Sequence, residues 1–235
     1  FKQEKDTISY CFTLQILAGI YKQSGNYDLS IKTSKQALKI AYKINNGVLI
    51  ANTYNDLGLI MSRKNNYAMA KNSFIKALRY RQRSNDKYGL LSIYTNLGIA
   101  YKNLLQYDSA FYFQQQALEL AEKINSAYSI AFACNDLGVL HLKTNQLDSA
   151  GFYFLKAVKL RLKIQDKWEL GYTYNYLGEL YRLTESENRS LDFLRKAVSL
   201  GRQTGNNKQL YESYEQMSLT FAQFKRYDSA FYYNK

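Results

Sequence analysis

Apolar residues recur along the chain at the spacing of amphipathic helices. Between residues 90 and 101 they fall on one helical face, at Leu90, Leu91, Tyr94, Leu97 and Tyr101. Short polar segments such as 24–26 and 64–66 interrupt the pattern, and their Asn, Gly and Ser residues favour turns. The pattern therefore predicts a series of helices that are joined by short turns.

The helical pattern repeats every forty residues. A Leu-Gly pair begins at Leu57, Leu97, Leu137 and Leu177. The same step joins alanines, at Ala37, Ala77, Ala117, Ala157 and Ala197. A tyrosine column follows the same register at Tyr27, Tyr67, Tyr107 and Tyr227, with Leu147 in the fourth copy. Periods of this length are typical of stacked repeat proteins. Each repeat unit contains two predicted helices.

The positions of these helices follow from the pattern. First helices are predicted at about 47–63, 87–103, 127–143, 167–183 and 207–223, after an opening first helix at about 7–23. Second helices are predicted near 27–44, 67–84, 107–124, 147–164 and 187–204. Aspartates fall in the first turn of second helices, where a carboxylate meets the positive end of the helix dipole, at Asp28, Asp108, Asp148 and Asp228.

Two features refine the packing within a unit. The glycine of each Leu-Gly pair lies in mid-helix, where glycine costs about 1 kcal/mol relative to alanine. Its recurrence predicts a close approach of the second helix, which the constant alanines of that helix permit. The turn near residue 185 departs from the pattern, because Glu187 replaces the tyrosine and Ser190 replaces the alanine. A looser or kinked turn is predicted there.

Composition supports an all-helical chain. Among its 235 residues there is no proline, which β-rich folds normally recruit for their turns. No apolar run approaches the length of a membrane span, so a span within this segment is excluded. Cys11 and Cys134 are the only cysteines, and we expect two separate buried thiols rather than a disulfide framework.

The ends of the sequence suggest an excerpt of a longer protein. The chain opens on Phe1, and the segment 227–232 repeats 107–112 letter for letter without the continuation that follows the earlier copy. Because a signal could precede Phe1, the compartment stays open: we favour the cytoplasm, and the periplasm is the alternative.

The repeated residues resemble the tetratricopeptide pattern of aromatic, Leu-Gly, Tyr, Ala and Ala. One unit carries it at Tyr94, Leu97, Gly98, Tyr101, Tyr107, Ala110 and Ala117. The period of forty exceeds the ordinary 34 residues. This longer form is similar to the variant found in kinesin light chains, cell-polarity adaptors and bacterial regulators.

The resemblance implies an all-α, right-handed superhelical solenoid of antiparallel helix pairs. Residues 1–235 would form a single array of about six units, the last incomplete. The unit bounds are about 7–45, 47–85, 87–125, 127–165, 167–205 and 207–235.

The resemblance also implies a concave groove that binds peptides, lined by the residues on either side of Leu-Gly. A polar row consists of Asn55, Thr95, Asn135 and Asn175, and a second row of Leu59, Ile99, Val139 and Glu179. Lys102 and Arg182 follow one turn later. Amides suit a peptide backbone and apolar residues its side chains. Leu59 and Val139 stand where the carboxylate clamp of chaperone-binding members requires asparagine, which argues against such a clamp.

The net charge of +13 raises the question of acidic partners. Most of the excess lies on the second helices, although the helix near 107–124 is acidic and interrupts the basic stripe. Two interpretations remain open, a solvated convex face or a weak surface for nucleic acid or another acidic partner. The residues of that surface would be Lys71, Arg79, Arg81, Arg83, Lys159 and Arg161.

No pattern for catalysis or for a cofactor stands out. The single histidine, His141, occupies a column that is otherwise aromatic or apolar, so we expect a packed side chain. Cysteine and histidine show no metal-ligand spacing, and no glycine-rich loop follows a strand. We therefore expect a non-catalytic scaffold without cofactors or metals, in which the groove binds a protein or peptide segment for a larger bacterial regulator. A homodimerisation or spacer element is the alternative, as is nucleic-acid binding through a domain outside this segment.

Overall fold

A computed structural model describes the backbone of residues 2–233 and the side chains of residues 6–230 and 232. Within this range it contains twelve α-helices and no β-strand. The helices are α1 (Lys2–Gln23), α2 (Tyr27–Lys43), α3 (Gly47–Arg63), α4 (Tyr67–Arg81), α5 (Lys87–Asn103), α6 (Tyr107–Lys123), α7 (Ala127–Lys143), α8 (Leu147–Lys163), α9 (Lys167–Leu183), α10 (Glu187–Thr204), α11 (Asn207–Gln223) and α12 (Tyr227–Tyr233). The predicted all-α class and its succession of helix pairs are confirmed.

The chain divides into two compact units, Phe1–Leu120 and Ala121–Lys235. In unit 1, Ala70, Phe74 and Ala77 of α4 pack with Ile93 and Leu97 of α5. In unit 2, Phe154 of α8 packs with buried residues of α7 and α9, which are Val139, Leu142, Leu177 and Leu180. The single array over residues 1–235 stays a prediction.

The turns explain why the helices end at regular intervals along the chain. In most of them a three-residue link contains one residue in the left-handed conformation, for example Asn45 with φ 49° and Asn65 with φ 57°. Asparagine tolerates this conformation better than most residues. The turn closes as the Asn46 amide donates to the Ala41 carbonyl at 3.0 Å. Backbone geometry thus sets the regular spacing.

The expected loosening near residue 185 is wrong. Glu185 takes the same left-handed conformation, with φ 56°, and the Ser186 amide donates to the Tyr181 carbonyl at 2.8 Å. The unusual residues form polar contacts in place of the apolar ones. Ser190 Oγ donates to the Gly178 carbonyl at 2.8 Å, and Glu187 accepts from Arg226 at 3.0 Å.

The irregular turn lies instead at residues 82–86. The predicted second helix extended to residue 84, whereas α4 ends at Arg81. There the Ser84 amide donates to the Arg81 carbonyl at 2.9 Å, and the Arg81 side chain reaches Asp86 at 2.5 Å. Ser84 Oγ also donates to the Arg81 carbonyl at 2.8 Å, and no residue of this turn takes the left-handed conformation of the other turns. This local hydrogen bonding by Ser84, which competes with a further helical turn, is the physical reason that we assign to the early end of the helix.

The predicted close approach at the Leu-Gly pairs is confirmed. A methyl group on Gly58 would lie 2.4 Å from the Phe74 ring, and one on Gly138 would lie 2.6 Å from the Phe154 ring. The neighbour is therefore one large side chain of the second helix. The constant alanines, which are fully buried, let that helix come near enough to place it.

Candidate functional site

The predicted site residues all lie on the first helix of each pair. In unit 1 these helices are α1, α3 and α5, and in unit 2 they are α7, α9 and α11. Within each unit neighbouring first helices contact one another. We call their shared surface the first-helix face of that unit.

The polar row forms hydrogen bonds between neighbouring first helices. Asn135 Oδ1 accepts from Thr173 Oγ1 at 3.0 Å. Asn175 is only 6% exposed. Its Oδ1 accepts from Ser213 Oγ at 2.7 Å and its Nδ2 donates to the Gln209 carbonyl at 3.3 Å. The expectation that Asn175 faces a ligand is therefore corrected: its amide is part of the packing between α9 and α11.

The hydroxyl residues that form hydrogen bonds with these amide side chains were not identified from the sequence. Gln15 occupies the same column as the asparagines, and its Nε2 donates to Thr53 Oγ1 at 2.7 Å. In each such pair the hydroxyl lies 38 residues after the amide. A search of the sequence for amide and hydroxyl columns at this offset could have found the pairing.

Asn55 departs from this rule, because the residue 38 positions later is Ile93. Its Oδ1 accepts instead from Asn96 Nδ2 at 2.9 Å, and both side chains stay half-buried. The Asn55 Nδ2 group donates no hydrogen bond within the described residues. Thr95, the next residue of the row, is half-buried as well. Unit 1 therefore keeps polar groups of this row within reach of a ligand.

The second row also differs between the units. Leu59 and Ile99 in unit 1 are half-buried and keep part of their apolar surface exposed. In unit 2, Val139 is only 4% exposed, which corrects the expectation that it lines an accessible groove. Glu179 lies 3.9 Å from Lys143 Nζ. The accessible apolar pair thus belongs to unit 1.

The charged residues one turn later follow the same division. Arg182 in unit 2 donates to Gln223 Oε1 at 3.0 Å, and the Gln223 amide donates to the Arg182 carbonyl at 3.0 Å. In unit 1, Lys22 and Asp56 form an ion pair at 3.0 Å between α1 and α3. Lys102 is half-buried and forms no ion pair with the side chains that the structure describes. Its ammonium group is available to an acidic ligand.

The proposed basic surface on the second helices needs a correction. Arg81 and Arg161 are 3% and 1% exposed, and both are paired with carboxylates at the start of the following helix. The expectation that these two arginines reach an acidic partner is therefore wrong. Arg79, Arg83 and Lys159 are exposed, and the half-buried Lys71 lies 5.4 Å from the centre of the Tyr101 ring.

The single histidine and the two cysteines pack against neighbouring side chains. His141 stacks on Tyr153 with ring centres 5.3 Å apart, and its Nδ1 lies 2.6 Å from Gln146 Oε1. Cys11 and Cys134 are buried and free, and burial raises the pKa of the Cys134 thiol to about 11. Residues 6–230 bring no three metal-ligating side chains together. Among the described helices, none combines the length and the apolar character that crossing a membrane requires.

Comparisons with known proteins agree on the repeat. The model of the family described as tetratricopeptide repeat matches residues 10–83 and 89–163. It indicates no catalytic family. No curated protein sequence matches the chain.

Three solved structures show the same fold at low sequence identity. The chain is similar to the signal transduction ATPase with numerous domains from Pyrococcus horikoshii, a protein with a tetratricopeptide repeat sensor (TM-score 0.80, 16% identity, 97% of this chain and 36% of that one). It is also similar to aspartyl phosphate phosphatase F from Bacillus subtilis (TM-score 0.77, 12% identity, 98% of this chain and 70% of that one). A third is a putative kinesin light chain with nearly identical repeats from Podosopora anserina (0.70, 14%, 84% and 97%). The chain thus spans about a third of the length of the first protein.

Proposed function

The chain belongs to the tetratricopeptide repeat family, and we propose that it is a non-catalytic scaffold whose first-helix face in unit 1 binds a segment of another protein. The observation that carries this proposal is the partly exposed pair Leu59 and Ile99, which lies beside half-buried polar groups of the same helices. Repeat arrays bind their partners on extended surfaces of this kind.

The side chains of this face define the ligand that would fit. The Asn55 amide group is suited to the backbone of an extended segment, and Leu59 and Ile99 are suited to its apolar side chains. Lys102, half-buried and without an ion pair among the described side chains, favours an acidic residue or a terminal carboxylate nearby. We therefore propose an extended segment that combines apolar residues with one acidic group.

The comparisons support a regulatory setting for this binding. In the Pyrococcus horikoshii protein the repeats are a sensor within a longer chain, of which this sequence spans about a third. We propose that this chain likewise senses a protein partner for a larger bacterial regulator. The second-helix surface is the weaker candidate, because two of the six cations predicted for it are buried.

Selection from a random peptide library tests the proposal without knowledge of the natural partner. Peptides that bind the wild-type chain are measured again on the double variant Ile99→Asn, Lys102→Glu. We expect affinity to fall by about tenfold or more, since one substitution removes apolar contact and the other repels an acidic group. Isothermal titration calorimetry measures the dissociation constants.

The matched control is Lys39→Glu, which makes the same charge reversal on an exposed residue of α2. Circular dichroism checks that all variants keep their helical content. Peptides that bind the double variant and the wild-type chain equally would contradict the proposed site. Peptides that lose affinity only for Lys39→Glu would move the site to the second helices.

A further inference from the structure

Unit 1 contains a second candidate site on its second helices. A pocket of 380 Å³ lies where α2, α3 and α4 meet. Its lining residues are three tyrosines and three cations, namely Tyr42, Tyr54, Lys76, Arg79, Tyr80 and Arg83. We call it the tyrosine pocket. No carboxylate belongs to its described lining.

The three tyrosine hydroxyls form a chain. Tyr80 OH donates to Tyr42 OH at 3.4 Å, and Tyr42 OH lies 3.0 Å from Tyr54 OH. Three hydroxyl protons serve two hydrogen bonds, so one proton stays available to a ligand. Partial burial raises the pKa of Tyr42, and the hydrogen bond to Tyr42 raises the pKa of Tyr80. Tyr42 and Tyr80 therefore stay protonated at physiological pH. Because Tyr80 donates its proton to Tyr42, the available proton belongs to Tyr42 or Tyr54.

The charge of the tyrosine pocket selects the sign of its ligand. Lys76, Arg79 and Arg83 form no ion pair with the side chains that the structure describes, and α4 contains no Asp or Glu. Lys76 Nζ lies 5.3 Å from the centre of the Tyr54 ring, which is part of the same pocket lining. Aromatic walls alone would suit an organic cation. Three positive charges oppose a cation and favour an anion with more than one charge.

The ring of Tyr80 packs against the core of unit 1, but packing at this position does not require its hydroxyl. The equivalent positions of the other repeats hold aliphatic residues, which are Ile40, Leu120, Leu160 and Leu200. The hydroxyl of Tyr80 is thus a departure from the repeat pattern. Departures of this kind are expected at functional sites.

A neighbouring cavity extends the tyrosine pocket toward apolar side chains. It has a volume of 450 Å³, shares Tyr80 and Arg83 with the pocket, and is also lined by Ile8, Ile44 and Val48. The irregular turn at residues 82–86 contains the shared arginine. Asn45, Asn46 and Ser84 also line this cavity. A ligand that fits both spaces therefore has an anionic end and an organic body that meets apolar and polar side chains.

We propose that the tyrosine pocket binds the phosphoryl group of a small organic phosphate monoester and that the adjoining cavity holds its organic part. Arginine and hydroxyl donors match the oxygens of a phosphate dianion, and the arginine fork binds two of them at once. The pocket shares helix α3 with the first-helix face through Tyr54, but none of its lining residues is among those proposed to bind a protein segment there. Its occupancy can therefore be measured independently of any protein partner.

Calorimetric titration with phenyl phosphate, in a buffer without phosphate, tests the proposal. We expect Arg83→Gln to weaken binding by about tenfold, since it removes a charged donor. Tyr80→Leu should weaken binding by several-fold and keep the fold, because leucine holds this position in three other repeats. The matched control Lys159→Gln removes an exposed cation of α8 and should change affinity by less than about twofold.

The alternative outcomes are distinct. Failure of the wild-type chain to bind phenyl phosphate at about 10 mM would overturn the proposal. Equal affinity for inorganic phosphate would overturn the role of the adjoining cavity. Tighter binding of a phosphotyrosine peptide would overturn the assignment to a small molecule. If Lys159→Gln weakened the affinity for phenyl phosphate as much as Arg83→Gln, the binding would depend on net charge alone and the pocket would be overturned as the site.

Discussion

At the scale of single residues, the absence of a side chain at the Leu-Gly glycines decides the packing. We predict that Gly138→Ala destabilises the protein, because a methyl group 2.6 Å from the Phe154 ring overpacks the core. Overpacking costs about 1–3 kcal/mol, which exceeds the gain of up to about 1 kcal/mol in helix propensity. Urea unfolding followed by circular dichroism measures the difference.

Gly19→Ala is the matched control for this prediction. Gly19 also lies within a helix, and a methyl group there would meet nothing within 4 Å. We expect it to raise the free energy of unfolding by up to about 1 kcal/mol. Equal shifts in the two variants would show that helix propensity alone governs both positions.

The buried Cys134 thiol makes the stability depend on alkaline pH. Desolvation raises its pKa in the folded chain to about 11 from an ordinary value of 9.0. A group with a raised folded pKa stabilises the protein fully below the unfolded pKa and loses that contribution as pH rises toward the folded pKa. We predict that wild-type protein loses about 2 kcal/mol more than Cys134→Ala between pH 8 and about 10.5.

Chemical unfolding at several pH values measures this difference. The comparison of wild-type protein with the variant cancels the tyrosines, which titrate in both proteins. Parallel stability curves would show that Cys134 has the same pKa in the folded and the unfolded chain, which would contradict the effect of burial.

At the scale of helices, a buried ion pair fixes how some second helices join the next first helix. Arg161, at 1% exposure, contacts Asp166 at 3.1 Å and Glu169 at 3.5 Å, and Asp166 also caps α9. We predict that Arg161→Ala lowers the free energy of unfolding by about 3–5 kcal/mol, because it leaves these carboxylates without their buried partner. Thermal and urea unfolding measure the loss.

Arg195→Ala is the control, since Arg195 pairs with Asp192 on an exposed surface. We expect a change within about 0.5 kcal/mol there. A similar loss in the two variants would contradict the role assigned to burial of the Arg161 ion pair. A loss for Arg161→Ala could also come from its missing side-chain length. Arg161→Met, which keeps the length, distinguishes that case.

The helices themselves follow from sequence with little error, because the apolar period and the turn residues agree in every repeat. The end of α4 could not be predicted in this way. Nothing in the apolar pattern indicates that Ser84 bonds back to the Arg81 carbonyl through both its backbone amide and its hydroxyl. The rows beside Leu-Gly were identified from a resemblance to a family. Whether an amide of the polar row is accessible depends on whether a hydroxyl residue lies 38 positions later and forms a hydrogen bond with it. That pairing requires knowledge of which helices are neighbours.

At the scale of the whole chain, two compact units predict local rather than uniform responses. Within each unit, consecutive helices such as α3 and α4 or α9 and α10 contact one another, and stability in repeat proteins is a sum of local contributions. Gly58→Ala in unit 1 and Gly138→Ala in unit 2 place a methyl group against a phenylalanine in the same way. We predict that each variant accelerates amide hydrogen exchange by about fivefold or more in its own unit and by less than about twofold in the other.

Mass spectrometry of peptides from each unit measures this exchange. The two variants serve as controls for one another, because the substitution and the clash are alike. Uniform acceleration along the chain in both would show that the units unfold as one cooperative body.

The regular turns have a consequence for how genes of this type change. Asn65 and Leu105 hold the same left-handed conformation one repeat apart, with φ 57° and 58°. Recombination that joins the codon for residue 65 to the codon for residue 106 would delete forty residues and leave an ordinary turn at the junction. Every downstream column would keep its alignment. Unequal crossing-over between similar copies can therefore lengthen or shorten such a coding sequence by whole repeats. The resulting proteins differ in the number of repeats and keep the same packing between helices.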